Sequence, residues 1–222
     1  NLEALPGLPY PGALTTWALP ALTLGSQLCS VATIGLLLAA VVLSPRDGRG
    51  LSAIGYRRMQ TAGWAALAWC LCNLARLVFT LSDFLGSPVD RSVSLTGLVN
   101  FALTVTLGQA LVFSAGLAAA VFLTCRISLR PFGATVALVL AVLAAIPPIF
   151  TGHNAASGNH QLAVSSMLLH VIPMTLWVGG LLALALTGSL RTGLDIAVQR
   201  FSRLATICLV TVAASGVVSV IA

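Results

Sequence analysis

Near position 35 the chain reads Gly35-Leu36-Leu37-Leu38-Ala39-Ala40, a run without a polar side chain. Strands of a membrane barrel alternate apolar and polar residues, so a run that is apolar on all sides favours a helix. It belongs to the first of six apolar stretches, each long enough to cross a hydrocarbon layer of roughly 30 Å. We place these spans at residues 14–43, 59–81, 95–124, 132–150, 162–186 and 201–222. The sequence therefore predicts an all-α fold, a polytopic transmembrane helical bundle of about six helices.

The composition predicts the same class of protein. Of the 222 residues, 58% are hydrophobic and 7% are charged, and a soluble core of this size cannot hide so much apolar surface. The net charge of +6 comes from arginines spread over several loops, which excludes a nucleic-acid partner. The sequence contains no P-loop and no histidine–glutamate zinc motif, and its five acidic residues lie in loops or the amino-terminal tail. We therefore expect the protein not to be an enzyme.

Charge in the loops predicts the orientation. The link between the first two spans carries Arg46, Arg49, Arg57 and Arg58 against Asp47 alone, which marks it as cytoplasmic. The links from span three to four and from span five to six also carry arginine. The amino terminus and the loop between spans four and five are therefore expected outside. Arginine without any lysine is typical of GC-rich bacterial genomes, so we expect a bacterial plasma (inner) membrane.

The fifth span carries Met167, His170, Met174 and Trp177 within about 80° of one another on a helix. Thioether and imidazole side chains suit copper, and the cuprous ion in particular. His170 lies about 12 Å below the expected outer surface at 1.5 Å per residue. A histidine at that depth needs a partner or a wet cavity, so it is a candidate functional residue. The structural alternatives, which involve no metal, are a histidine with one interhelical hydrogen bond and methionines that only fill space.

The outer loop before the fifth span contains His153 and His160, and it follows Pro147-Pro148, which should end or kink the fourth helix. Two imidazoles can converge there on copper or zinc. Simple hydrogen bonding at the lipid–water interface is an equally open interpretation.

Polar residues occur at matching depths in two spans. Asn73 and Arg76 share a face of the second span, and Asn100 and Gln109 lie in the third. We expect them to form a polar layer or pathway that opens outward. Because a cationic Arg76 would repel a metal ion at close range, we assign it a structural or anion-pairing role.

The five cysteines lie at positions 29, 70, 72, 125 and 208, all inside apolar spans. Most free cysteines behave as small buried hydrophobes, and we expect no disulfide framework. Cys70 and Cys72 are about 200° apart on a helix, so they cannot chelate one ion together. Cys29 and Cys208 remain possible soft ligands across a helix interface.

A family resemblance is carried by the run His170-Val171-Ile172-Pro173-Met174-Thr175-Leu176-Trp177-Val178-Gly179-Gly180-Leu181. It resembles the signature helix of the CopD family of bacterial membrane copper proteins, in which a histidine precedes a Trp-Val/Leu-Gly-Gly sequence. The resemblance is specific over residues 152–222, whereas residues 1–150 resemble the family in hydropathy and helix count. It implies a division into an amino-terminal four-helix membrane region, 1–150, and a CopD-like region, 151–222, that is incomplete at its carboxyl end.

By this resemblance His170, Trp177, Gly179 and Gly180 carry over, and we assign packing to the tryptophan and the two glycines. The family implies copper resistance or copper import across the plasma membrane, with delivery of copper to cytochrome c oxidase assembly. Its expected partners are the lipid bilayer, a fused or separate CtaG-like assembly domain, an extracellular copper chaperone and a respiratory complex.

The resulting hypothesis is a membrane copper-handling protein. His153 and His160 would capture the ion outside, and His170, Met167 and Met174 would receive it as the cuprous ion inside the bundle. Two alternatives remain open. The first is a non-catalytic assembly or scaffold subunit of a respiratory complex, and the second is a haem b electron-transfer protein with His170 as an axial ligand.

Overall fold

The computed structural model describes residues 10–43, 46–47, 50–148, 160–188 and 194–221, and nearly all of them are helical. Helix α1 (Gly12–Leu38) continues into a π-helical turn, Ala39–Leu43, and a two-residue hairpin follows, with β1 (Arg46–Asp47) antiparallel to β2 (Gly50–Leu51). The remaining elements are α2 (Ala53–Leu85), α3 (Val89–Ser92), α4 (Leu95–Thr104), α5 (Thr106–Ile127), α6 (Pro131–Ala145), α7 (His160–Gly188) and α8 (Leu194–Ile221). The predicted all-α bundle is confirmed.

Five helices in the described chain are long and apolar enough to cross a membrane: Gly12–Val42, Ala53–Leu85, Thr106–Ile127, Met167–Ala185 and Asp195–Gly216. They correspond to five of the six predicted spans. The other predicted span, 132–150, contains the shorter apolar helix α6. Its helix stops at Ala145, just before Pro147 and Pro148, which cannot donate the hydrogen bonds that would extend it.

The third predicted span, 95–124, is two helices rather than one. Val105 separates α4 from α5 with an extended backbone, φ −95° and ψ 125°. Gly108 lies so close to the carbonyl of Phe101 that a side chain would collide with it. The side-chain amide of Gln109 donates through Nε2 to the carbonyl of Leu103 at 2.6 Å and so satisfies one acceptor that the break exposes.

Helix α2 lies at the centre of the bundle, between α1 and α5, with α6 packed on α5 and α1. Helix α7 packs against α1, and α8 packs against α7. The contacts between α2, α5 and α6 are built largely from buried alanines: Ala62, Ala66, Ala118, Ala134, Ala137, Ala141 and Ala144. Small side chains let helix backbones approach closely, which is how helices pack tightly without a hydrophobic driving force between them.

Arginines gather at one end of the bundle. Arg58 donates to the carbonyl of Ala39 at 3.5 Å, and Arg200 donates to that of Val42 at 2.7 Å. Both acceptors belong to the π-helical turn, so guanidinium groups cap carbonyls at the end of this helix. Arg126 stacks 4.4 Å above the ring of Trp64 at the same end, an arrangement that places the cation over an aromatic face.

Candidate functional site

The feature of greatest functional interest is a cavity of about 410 Å³ lined by α1, α2, α7 and the end of α6. Helix α1 lines it with hydroxyl and amide side chains, and α7 lines it with thioethers, a hydroxyl and valines. The members used below are Thr23, Ser26, Gln27, Ser30, Arg76, Met167, Met174 and Thr175. We call this space the thioether cavity.

Helical spacing explains which residues reach the thioether cavity. On α1 the lining positions begin at Thr23 and recur after three, four and seven residues, which is one face of a helix. On α7 Met167 and Met174 are seven residues apart and also share a face. Their α-carbons are therefore separated by about 10 Å along the helix axis. Two soft donors thus lie at two depths along one wall.

A buried asparagine connects three helices beside this cavity. Ser26 of α1 donates to Oδ1 of Asn73 at 3.0 Å, and Nδ2 of Asn73 donates to Ser114 of α5 at 3.1 Å. Ser114 donates in turn to the carbonyl of Ala144, at the end of α6, at 2.7 Å. The chain of bonds satisfies polar groups that would be costly without partners in an apolar interior.

Arg76 extends this network into the cavity. Its Nη1 donates to Oδ1 of Asn73 at 3.3 Å, while its Nε is buried and makes no hydrogen bond to any described residue. No carboxylate among the described residues pairs with it, and Asp83 is exposed at the end of α2. The guanidinium therefore contributes a positive charge, one amide contact and an available donor to the cavity wall.

The predicted stripe on α7 is divided between different neighbours. Met167 and Met174 face the thioether cavity, but His170 is exposed and does not line it. Trp177 packs against the buried cluster of Ala39, Ala183, Ala197 and Phe201. The four residues lie within about 80° of one another around the helix, yet they have three different environments: a cavity, the exposed surface and a neighbouring helix.

The two glycines after Trp177 lie at helix crossings. Cα of Gly179 is 3.0 Å from the point where a Cβ on Gly35 of α1 would stand. A Cβ on Gly180 would come within 2.6 Å of the ring of Phe201 on α8. The pair therefore holds α7 close to α1 on one side and to α8 on the other.

The outer histidines fall beyond what the structure describes. His153 lies outside the described residues, and His160 begins α7 with a side chain that is also outside them. Asn100 and Gln109 lie on exposed surfaces of α4 and α5. Asn73 and Arg76, the other two residues of the predicted polar layer, hydrogen-bond to each other, and Arg76 lines the cavity.

Sequence reasoning missed the polar lining of α1 and one thiol contact. Thr23, Ser26 and Ser30 fall on one helical face inside an apolar span, and that spacing was the available signal. Cys72 of α2 packs against α1 at Gly25, one helical turn from Cys29, so the two thiols are neighbours across this helix contact. Cys208, the other candidate soft ligand, is buried in α8.

A second cavity of about 530 Å³ adjoins the first along α1. It is lined by Asp83, Thr15 and Thr16 near the end of the bundle, and it shares Thr23 and Gln27 with the thioether cavity. Thr15 and Ser82 hydrogen-bond at 2.9 Å and tie α1 to α2 at this end. The shared residues, Thr23 and Gln27, therefore connect the cavity at the end of the bundle with the thioether cavity.

The described part of the chain contains no group of three or more histidine, cysteine or acidic side chains that could hold a metal ion together. The soft and polar donors of the described interior include thioethers, hydroxyls, side-chain amides and the thiols of Cys29 and Cys72. Such sites favour a soft monovalent ion over a hard divalent one, which requires several oxygen ligands.

Comparison with known protein families gives one match. The model of the copper resistance protein D-like N-terminal domain matches residues 14–162, which run from α1 to the first residues of α7. The comparisons with curated proteins and with solved structures found no match. The family resemblance is confirmed. The match lies mostly within residues 1–150, the region that resembles the family in hydropathy and helix count. The chain therefore belongs to the copper resistance protein D-like family and is a multi-pass membrane copper resistance protein.

Proposed function

We propose that this protein binds cuprous ions in the thioether cavity and moves them inward across the bacterial plasma membrane. The observation that carries the proposal is the pair Met167 and Met174, which line one wall of a cavity inside a chain of a copper resistance family. Thioethers select the reduced ion, and the hydroxyls opposite them on α1 supply weaker contacts from which an ion can leave.

The proposed route begins where Asp83 lines the second cavity. A cation attracted by this carboxylate passes along Thr23 and Gln27, which line both cavities, and reaches Met167 and then Met174. His153 and His160 act in this proposal as a capture site before the cavity, because His153 precedes α7 in the sequence and His160 is its first residue. His170 is proposed to assist from the exposed face of α7.

The same proposal places the amino terminus outside. The arginines that cap the π-helical turn lie at the opposite end of the bundle from Asp83, and basic residues favour the cytoplasmic side. Copper that leaves at the basic end would supply cytochrome oxidase assembly through a CtaG-like domain, and an extracellular chaperone would load the outer end.

The test is cuprous uptake by the protein reconstituted into liposomes that contain a copper-sensing dye. Met167→Leu/Met174→Leu removes both thioethers with little change in volume. We expect uptake to fall by about tenfold or more, a loss of about 1.4 kcal/mol of favourable interaction for each factor of ten.

The chain offers a matched control. Met59 is the remaining methionine, and it is fully buried in the main core cluster, outside the cavity lining. Met59→Leu should leave uptake unchanged. Equal uptake by the wild type, the double variant and this control would contradict the role of the two thioethers. Uptake no faster than in protein-free liposomes would favour the assembly or scaffold alternative.

The visible spectrum of the same preparation tests the haem b alternative. That alternative requires an axial bond from His170, whose side chain is exposed and outside the cavity lining. A Soret band that disappears in His170→Ala would support haem binding. We expect no such band.

A further inference from the structure

Cys29 and Cys72 bring two thiols together between α1 and α2. Sγ of Cys72 lies 3.5 Å from the point where a Cβ on Gly25 would stand, so it rests directly on α1. Gly25 is one helical turn before Cys29 on the same face of α1, so the two thiols are neighbours between the helices. Both side chains are partly buried, in the most extensive helix contact of the described chain.

Arg76 lies on α2 one helical turn from Cys72. It follows Cys72 by four residues on the same face of α2, and its guanidinium is near enough to interact with the Cys72 sulfur electrostatically. Its Nε makes no hydrogen bond to a described residue, and no described carboxylate neutralises its charge. An isolated positive charge in an apolar interior is costly, so a nearby negative charge would be favourable.

Cuprous binding by two thiols would create that negative charge. One Cu⁺ and two thiols give a bis-thiolate complex of charge −1 and two released protons, with no change of oxidation state. The charge of −1 and the +1 of Arg76 sum to zero inside the bundle. The arginine that would repel a bare ion therefore stabilises the ion once two thiolates hold it.

We propose that Cys29 and Cys72 form a two-coordinate cuprous site with Arg76 as its counterion, beside the thioether cavity. The inference rests on the proposed function and adds a retention site to it. Ser26 and Arg76 line the cavity and lie one helical turn from Cys29 and Cys72 respectively, so an ion at Met174 has a short path to the thiols. Thiolates hold the cuprous ion as soft anionic ligands, which thioethers are not.

The test is titration of the purified protein with cuprous ion against a chromophoric cuprous chelator, in weak buffer so that released protons are counted. We compare the wild type with Cys29→Ala, Cys72→Ala and the control Cys70→Ala. Cys70 lies on the same helix but packs into the main core cluster. The wild type and the control should bind one ion with release of two protons. Both test variants should lose this step, with a loss of affinity greater than the roughly 100-fold cost of an outer-shell change.

Substitutions at Arg76 test its proposed role as the counterion of the cuprous site. Arg76→Gln should weaken the two-proton step by about tenfold, whereas Arg76→Lys should restore most of it because the charge is retained. Equal affinity in the glutamine and lysine variants would contradict the counterion assignment. Thermal unfolding of each variant without copper shows whether the fold is intact.

The outcomes separate this inference from the proposed function. Copper binding without proton release, lost in Met167→Leu/Met174→Leu and kept in both cysteine variants, would overturn the thiol site and leave the transport proposal standing. A two-proton site in a protein that shows no uptake would support the thiol site and overturn transport. Absence of cuprous binding to the wild type would overturn both.

Discussion

Asn73 is a buried residue that connects three helices of the bundle by side-chain hydrogen bonds. Its side-chain amide accepts from Ser26 and Arg76 and donates to Ser114, so it joins α1, α2 and α5. Side-chain hydrogen bonds between membrane helices contribute about 0.6 kcal/mol each on average. Removal of a shared partner costs more, because several buried groups lose their bonds at once.

The first prediction follows from that network. Asn73→Ala should lower the free energy of unfolding by about 1–3 kcal/mol, because it leaves buried polar groups of Ser26, Ser114 and Arg76 with fewer partners. Asn100→Ala is the matched control, since Asn100 is exposed on α4. Thermal unfolding in detergent measures both. An equal effect of the two substitutions would contradict the assigned role of Asn73.

At the scale of elements, α7 decides how the two parts of the bundle meet. Its Gly179 contacts α1 at Gly35, and its Gly180 leaves room for Phe201 of α8. Met167 and Met174 lie on the same helix, and the contact between Gly179 and Gly35 sets the distance from α7 to α1 across the cavity. The shape of the thioether cavity therefore depends on how closely two backbones approach.

The second prediction concerns this crossing. A Cβ on Gly35 would stand 2.5 Å from the carbonyl oxygen of Gly179, and backbone cannot move aside without displacing a helix. We expect Gly35→Ala to destabilise the protein by about 1–3 kcal/mol and to reduce cuprous uptake. Gly116→Ala, where a Cβ meets nothing within 4 Å, should be neutral or stabilising by up to about 1 kcal/mol. A similar loss in both variants would exclude a specific contact between α1 and α7.

At the scale of the whole molecule, the two ends of the bundle differ in charge. Arg58, Arg126 and Arg200 bind carbonyls or aromatic rings at one end, and Asp83 is exposed at the other. Cytoplasmic loops carry an excess of arginine, so the basic end is expected inside.

The third prediction tests this orientation by labelling with a membrane-impermeant maleimide. Asp83→Cys should react in intact cells, whereas Arg130→Cys should react only after the membrane is permeabilised. Both positions are exposed, and the native cysteines are buried or partly buried, so the unsubstituted protein supplies the background. The reverse pattern would invert the topology and with it the proposed direction of copper movement.

Much of the fold could be predicted because it depends on local chemistry. An apolar run such as 35–40 must satisfy its own backbone hydrogen bonds in lipid, so it can only be a helix. Pro147-Pro148 predicted the end of the fourth helix, and α6 ends at Ala145. The break at Val105 was harder to predict, since it depends on the close packing of Gly108 against Phe101. The family was recognised from residues around Trp177 and is shown by the match over residues 14–162.

The sequence by itself determined the helical class, the membrane-spanning lengths, the charge asymmetry and the soft donors of α7, because these are properties of single segments. Only the tertiary structure decided that Met167 and Met174 face a cavity while His170 is exposed, and that Cys29 meets Cys72. The physical reason is that these helices are apolar on nearly every side. Such a helix has no polar face to show which side meets protein and which meets lipid, so its rotation is set by close packing at positions such as Gly35 and Gly179.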